Sequence, residues 1–516
     1  MFTHHRLLIV FLFIYYAIIA KLYISRVASF GCFDDCSYFM VAYFMEKGKM
    51  LYSDIFFNHQ MLAVYISDFI QNFTNPQTIY HLVLYHRLVV LAFSFVMGFL
   101  ILYRFRLAGL GFILIFEISK YYVFGNRFLP EALIIYPLVY LFGLSWEKIL
   151  GNKVNRFDYI LTGVFSWFII FMREPYVLLA LILFLLIIFE KKLSRIKILP
   201  IALFLVLSLL TIVSVSVKDY FFNVVTVNAA TVAKTEIQSN NILGVGFLKI
   251  FFYPVYIFIS NQWNIFRVFL IGLSAIFLFL CFYFAVHLKK IKLIIFIFLL
   301  LGIANIRYVE PGTIYYEAFH MIQWYGFFIF SIFLMLAFLY KIRNNLGYVV
   351  AFVLFVLFVN FIFSKESYIW DKIDRSEEFV TNYGAYLSNG EVIRLLAKPK
   401  DTMFVDRWDD MIYWQAKLDS SYKYSWYTGI MPGFKQYDSA RIDMFRNNPP
   451  DFYYGFCPGK TTKSIILPDF RKDDYRQLYF SGKPTCLYIK KTKIPEISNE
   501  QWGKIAQFEY YLPDVN

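Results

Sequence analysis

The chain has 516 residues, 59% of them hydrophobic, 22% aromatic and only 17% charged, against roughly half apolar and a quarter charged in a soluble globular protein. That balance excludes an ordinary water-soluble globule and indicates a polytopic α-helical membrane protein. The net charge of +14 does not mark a nucleic-acid binder. Its basic residues cluster in short loops between apolar runs, the pattern the positive-inside rule produces.

In chain order, apolar spans are predicted near 7–29, 83–103, 107–124, 129–146, 158–172, 175–189, 196–217, 264–287, 291–304, 322–340 and 347–363. Basic loops alternate with them: MFTHHR at the start, YRFR at 103–106, EKILGNKVNR at 147–156, EKKLSRIK at 190–197, HLKKIK at 287–292 and YKIRNN at 340–345. With about eleven crossings all six lie on the cytoplasmic side, which leaves the N-terminus inside and the C-terminus outside. The first span has a basic start like a signal peptide, but a longer apolar run and no clear small-residue cleavage site, so it reads as an uncleaved anchor. A long outer loop, 30–82, follows it.

Residues 158–189 are flanked by two basic loops, which requires an even number of crossings and makes Arg173-Glu174-Pro175 a hairpin tip. Each arm of about 15 residues gives roughly 22 Å of helix, short of the ~30 Å hydrocarbon core. The tip is therefore expected below the outer surface, lining a cavity where polar backbone is tolerated. The apolar stretch 247–260 would break the parity and reads as re-entrant or interfacial. Beyond the membrane part, 1–364, composition turns polar. Residues 365–516 are predicted to form an exported α/β domain, with strands at 402–406, 451–456, 464–468 and 485–491 and helices at 391–397 and 409–418.

Chemistry-bearing residues recur on the outer face. GCFDDCSYF (31–39) places Asp34 and Asp35 between Cys32 and Cys36. YSDIFFNHQ supplies Asp54, Asn58 and His59, FGNRFLPE supplies Arg127 and Glu131, and the hairpin tip supplies Arg173 and Glu174. The loop 305–320 supplies Arg307, Tyr315, Tyr316 and His320. Charge at membrane depth is expensive, which makes each a functional candidate.

Carboxylates there can act as a general base or hold a divalent cation against phosphate. Arginines suit a lipid-linked phosphate through their planar fork. Each has a plainer reading. The acid pair can be a solvated loop, His59 a loop residue, and Arg127/Glu131 and Glu117/Lys120 ion pairs at helical spacing. The aromatic excess reads as lipid-facing packing. Cys32 and Cys36, four apart, do not reach disulfide geometry in a regular helix, and a zinc site lacks a suitably spaced histidine. Cys457 and Cys486 can pair if the domain is exported.

FDDCSYFMVAYFMEKGKMLYSDIFFNHQMLAVY resembles the first outer loop of GT-C glycosyltransferases, and more narrowly the protein O-mannosyltransferase and aminoarabinose-transferase superfamily. The shared pattern is an acid pair (Asp34-Asp35), an aromatic three residues on (Tyr38), a glycine (Gly48) and a Tyr-x-Asp (Tyr52-Ser53-Asp54). Asn58-His59-Gln60 stands where that superfamily has a proline-rich element, and both prolines are absent. FGNRFLPEALIIYPLVYLFGL, FMREP and RYVEPGTIYYEAFHMIQWYG are similar to later segments.

The resemblance implies a membrane glycosyltransferase taking sugar from a polyprenyl-phosphate donor to a lipid, glycan or protein acceptor on the outer face of a prokaryotic cytoplasmic membrane. Asp34 would be the general base and Asp35 an orienting acid. Arg173, Arg127 and Arg307 would bind the donor phosphate. Tyr38, Asp54, His59, Glu131, Tyr315, Tyr316 and His320 would line the substrate pocket, with no metal required. An O-antigen-type polymerase or ligase, or a lipid-linked glycan flippase, is the alternative; a flippase predicts inverted repeats.

Overall fold

Each predicted apolar span coincides with a helix in the computed structural model, which describes residues 2–29, 31–32, 34–189, 195–230, 265–305, 318–372, 374–406, 411–455 and 471–513. The order is α1 (Phe2–Ser25), α2 (Asp34–Glu46), α3 (Leu62–Thr74), α4 (Ile79–Phe105), α5 (Leu107–Ser119), α6 (Pro130–Ile149), α7 (Arg156–Met172) and α8 (Val177–Ile188). Then come α9 (Arg195–Val213), α10 (Val217–Ala230), α11 (Ile265–Val286), α12 (Ile291–Ala304), α13 (Ile322–Lys341) and α14 (Asn345–Phe363).

Among the described residues five helices are long and apolar enough to cross a membrane unaided, or six if the pair Lys197–Val213 and Val217–Ala230, bent by 98°, is one span. That is fewer than the eleven expected from hydropathy, because α5, α7, α8 and α12 have only 13, 17, 12 and 14 residues and the described apolar part of α1 runs only over Val10–Ser25. The stretch 247–260 lies outside the described residues.

Helices α6 and α13 form the centre, buried over most of their length. Helix α14 stays peripheral and turns Val349, Phe352, Phe355 and Val356 outward, an apolar surface suited to lipid. Gly163 lets α7 close on α9, since a Cβ there would lie 2.6 Å from the Pro200 carbonyl oxygen. Small residues allow this approach between apolar helices.

Two of the basic loops meet at one end. Arg104 Nε donates to both Asp158 carboxylate oxygens at 3.0 and 3.1 Å, and Lys148 Nζ donates to the Phe189 carbonyl at 3.3 Å. Asp158 also closes a capping box with Asn155 at the start of α7. Loops 103–106, 147–156 and the end of α8 are thereby tied together.

At the opposite end the loop after α1 is not irregular: it carries α2 and α3. Asp34 and Asp35 occupy the first turn of α2, where negative charge complements the helix N-terminus. Helix α3 buries Ala63, Val64 and Ile70 while exposing the stacked Phe69 and Phe73, the two-faced pattern of an interfacial helix.

The C-terminal part begins with α15 (Arg375–Leu396) and includes α16 (Met411–Ala416), α17 (Lys435–Asn447) and α18 (Asn499–Ala506). Its strands are β1 (Thr402–Val405), β2 (Asp419–Ser420), β3 (Phe452–Tyr454), β4 (Tyr475–Phe480), β5 (Lys483–Lys490) and β6 (Tyr510–Tyr511). They form one sheet in the order β2-β1-β3-β5-β4-β6. Strand β1 is parallel to β2 and β3, and the remaining pairings are antiparallel. Strands β1, β3 and β5 lie where the sequence put them. The predicted strand at 464–468 falls outside the described residues, and β4 was missed because its burial alternates only loosely.

This domain packs directly on α2. Trp426 stacks on Phe44 with ring centroids 5.6 Å apart, Tyr413 meets Phe44 edge-on at 5.2 Å, and Lys49 Nζ donates to the Tyr422 carbonyl at 3.2 Å.

Candidate active site

Arg173 caps the C-terminal end of α7 in an extended conformation, because Pro175 two residues on has no N–H to continue the ladder and its ring would clash with the carbonyl of the preceding turn. Its guanidinium is only 1% exposed and is held on several sides. Nε donates to Glu131 Oε1 at 2.8 Å, and Nη1 lies 2.7 Å from His59 Nδ1 and 3.6 Å from Glu174 Oε1. Nη2 reaches Asp34 Oδ2 at 4.0 Å. Four elements therefore converge on one arginine: the start of α2, the loop before α3, the start of α6 and the tip between α7 and α8.

His59 Nδ1 also lies 2.9 Å from Glu174 Oε1. It accepts from Arg173 or donates to Glu174, not both at once. Burial alone would raise the Glu174 pKa, but Arg173 and His59 outweigh it and hold it at about 2.

The two adjacent acids have opposite environments. The Asp34 side chain is 44% exposed, whereas Asp35 is fully buried. Asp35 sits between two buried guanidiniums, 3.6 Å from Arg87 and 4.0 Å from Arg127. Arg127 also donates to the carbonyls of Ser29 at 2.9 Å and Gly31 at 3.3 Å, and Arg87 donates to those of Val27 and Ser29. Burial, then repulsion from Arg87, lowers the Arg127 pKa to about 10, so it stays charged at neutral pH. The unit Asp35–Arg87–Arg127 anchors the chain entering α2 and so sets where Asp34 points. Arg127, predicted to take donor phosphate, is thus placed against Asp35 and the 29–31 backbone.

The expectation that Cys32 and Cys36 cannot join is overturned: they form a disulfide with Cα atoms 5.5 Å apart. The reason is local. Helix α2 starts at Asp34, so Cys32 precedes it in non-helical backbone after Gly31 at φ +62° and can fold back over the first turn. This removes the zinc alternative at this pair. Cys486 is disulfide-bonded, and Cys457 lies outside the described residues.

Asp34 opens into a cavity of about 300 Å³. Cys32, Asp34, Cys36 and Ser37 line it from the start of α2, and Phe56, Phe57, Asn58 and His59 from the following loop. Tyr386, Met411, Trp426, Thr428 and Ile430 close it from the C-terminal domain.

The remaining predicted residues are placed as follows. Tyr38 is buried beside His59, with ring centroids 6.4 Å apart. Glu131 is buried on Arg173. Asp54 accepts the Met50 N–H at 3.0 Å and closes a turn, outside the cavity lining. His320 is buried against Phe319. Arg307, Tyr315 and Tyr316 fall outside the described residues. Glu117 and Lys120 form the ion pair expected from their spacing, 2.7 Å apart and buried, away from this site.

Sequence reasoning passed over Arg87, whose signal was available: it is a guanidinium near the start of a long apolar helix. The C-terminal wall carried no local signal. Among the described residues no group of three or more His, Cys, Asp or Glu side chains is placed to hold a metal ion. Comparison of the chain with protein-family models, with curated proteins and with solved structures returns no match.

Proposed function

We propose that this protein is an inverting membrane glycosyltransferase that moves a sugar from a polyprenyl-phosphate donor to a hydroxyl acceptor. In this reading eleven helices cross a prokaryotic cytoplasmic membrane, the N-terminus lies inside and the C-terminal domain lies on the outer side. The observation that carries it is the pairing of a half-exposed carboxylate in a cavity, Asp34, with a buried guanidinium 4.0 Å away, Arg173.

The chemistry follows from that pair. Asp34 takes the proton of the acceptor hydroxyl as its oxygen attacks the anomeric carbon. The bond from that carbon to the phosphate oxygen breaks, its electrons leave with the lipid phosphate, and configuration inverts. Arg173 balances the charge developing on the leaving phosphate. Glu131, Glu174 and His59 hold its fork in place, so little reorganisation accompanies the reaction.

Asp34→Asn keeps the shape of the site and removes the base. It is expected to lower turnover about 10²–10⁴-fold while donor binding persists. Mass spectrometry of surface glycans and lipids from cells carrying wild-type or Asp34→Asn protein reads this out. Identical glycoconjugates in the two strains overturn the proposal.

A further inference from the structure

We infer that the C-terminal domain supplies the acceptor half of the cavity, as a pocket for a pyranoside ring that presents a hydroxyl to Asp34. The inference rests on the transferase reading only in naming the bound group an acceptor. Affinity of the pocket for a glycoside requires no turnover.

Three observations carry it. The first is position. The domain's contributions to the cavity follow the carboxyl ends of its parallel strands: Met411 comes after β1, and Trp426, Thr428 and Ile430 come after β2. In α/β sheets this is the edge where loops bind ligands. Here the domain is docked on the C-terminal end of α2 through Trp426 and Tyr413 on Phe44, and its loops share one cavity lining with Asp34 at the other end of that helix.

The second is an unmet hydrogen bond. Thr428 is 6% exposed, and its Oγ1 is buried with no hydrogen-bond partner among the described residues. A buried hydroxyl without a partner is costly, and this one belongs to a side chain that lines the cavity, so that rotation about χ1 can bring it to a ligand hydroxyl.

The third is the make-up of the walls. The lining combines flat rings (Phe56, Phe57, Trp426) with short polar groups (Ser37, Asn58, Thr428). Rings cover the C–H faces of a sugar, and the polar groups meet its hydroxyls. A volume of about 300 Å³ is at the small end of ligand sites, enough for one sugar ring.

Arg173 does not line the cavity, but His59 does and lies 2.7 Å from it, so a phosphate held by the arginine and an acceptor held in the cavity would meet beside Asp34.

The test uses full-length protein in lipid nanodiscs and a panel of methyl hexopyranosides and methyl pentopyranosides, with binding read by saturation-transfer NMR. At least one glycoside is expected to bind wild type. Thr428→Val, which is nearly isosteric, should weaken it about tenfold, and Ile430→Trp, which fills the space, should abolish it. Thermal unfolding of each variant reports whether the fold is kept.

Absence of glycoside binding by wild type overturns the assignment, as does binding that survives Ile430→Trp. Binding of serine- or threonine-containing peptides that Ile430→Trp removes, with none of glycosides, overturns it in favour of a protein acceptor. Unchanged cellular glycoconjugates in the Asp34→Asn strain alongside variant-sensitive glycoside binding would sink the transferase reading and leave the pocket standing. Altered glycoconjugates without glycoside binding do the reverse.

Discussion

Arg173 has the most crowded environment in the site, and its removal separates structure from chemistry. Arg173→Ala leaves Glu131, itself fully buried, without its guanidinium partner at 2.8 Å, so a loss of about 3–5 kcal/mol in stability is expected. Arg173→Lys keeps the charge but not the fork. It should unfold near the wild-type temperature in detergent while turnover falls, which equal unfolding temperatures and equal turnover would refute. Glu174 adds a pH dependence. Its pKa is depressed from 4.5 to about 2, so its stabilising contribution is complete above the unfolded value and declines as pH falls toward the folded one. Thermal unfolding between about pH 5 and pH 3 should therefore drop more steeply for wild type than for Glu174→Gln.

Helix α2 is the element on which the site depends. It begins at Asp34, stacks Phe44 against Trp426, and is fastened at its start by the Cys32–Cys36 disulfide and by Arg87 and Arg127 on Asp35. Closing so short a loop contributes about 2 kcal/mol in the chain-entropy view, a modest share of stability. The larger consequence concerns geometry, since both cysteines line the cavity beside Asp34. Replacing both with serine should lower the unfolding temperature slightly and turnover substantially, and reductant should affect wild type but not the double variant. If reductant leaves wild-type turnover unchanged, the disulfide does not position Asp34.

For the whole molecule the proposed topology makes a labelling prediction. Basic loops 103–106 and 147–156 meet at the end opposite Asp34. In intact cells, an impermeant thiol reagent should modify a cysteine placed at Lys398 in the C-terminal domain, and not one placed at Lys289 until the membrane is opened. The reverse pattern would invert the orientation. The half-exposed Lys398 pairs with Glu496 at 3.0 Å, a surface ion pair whose loss costs little, so the substitution is benign.

Helical character and the positions of the apolar helices were legible in the sequence because hydropathy is local: a run of apolar residues must be helical to satisfy its backbone in lipid. The meeting of basic loops 103–106 and 147–156 was legible for the same reason. So was the hairpin break, since Pro175 ends α7 whatever surrounds it. The division of labour between Asp34 and Asp35 was not. Adjacent identical residues differ only in what the fold brings to them, here the cavity for one and Arg87 with Arg127 for the other. The disulfide depended on α2 beginning at Asp34, after Cys32, rather than before it. The C-terminal wall depended on contacts between residues separated by more than 350 positions, such as Phe44 with Trp426. Periodicity reports which face of an element is apolar, and only packing decides what that face meets.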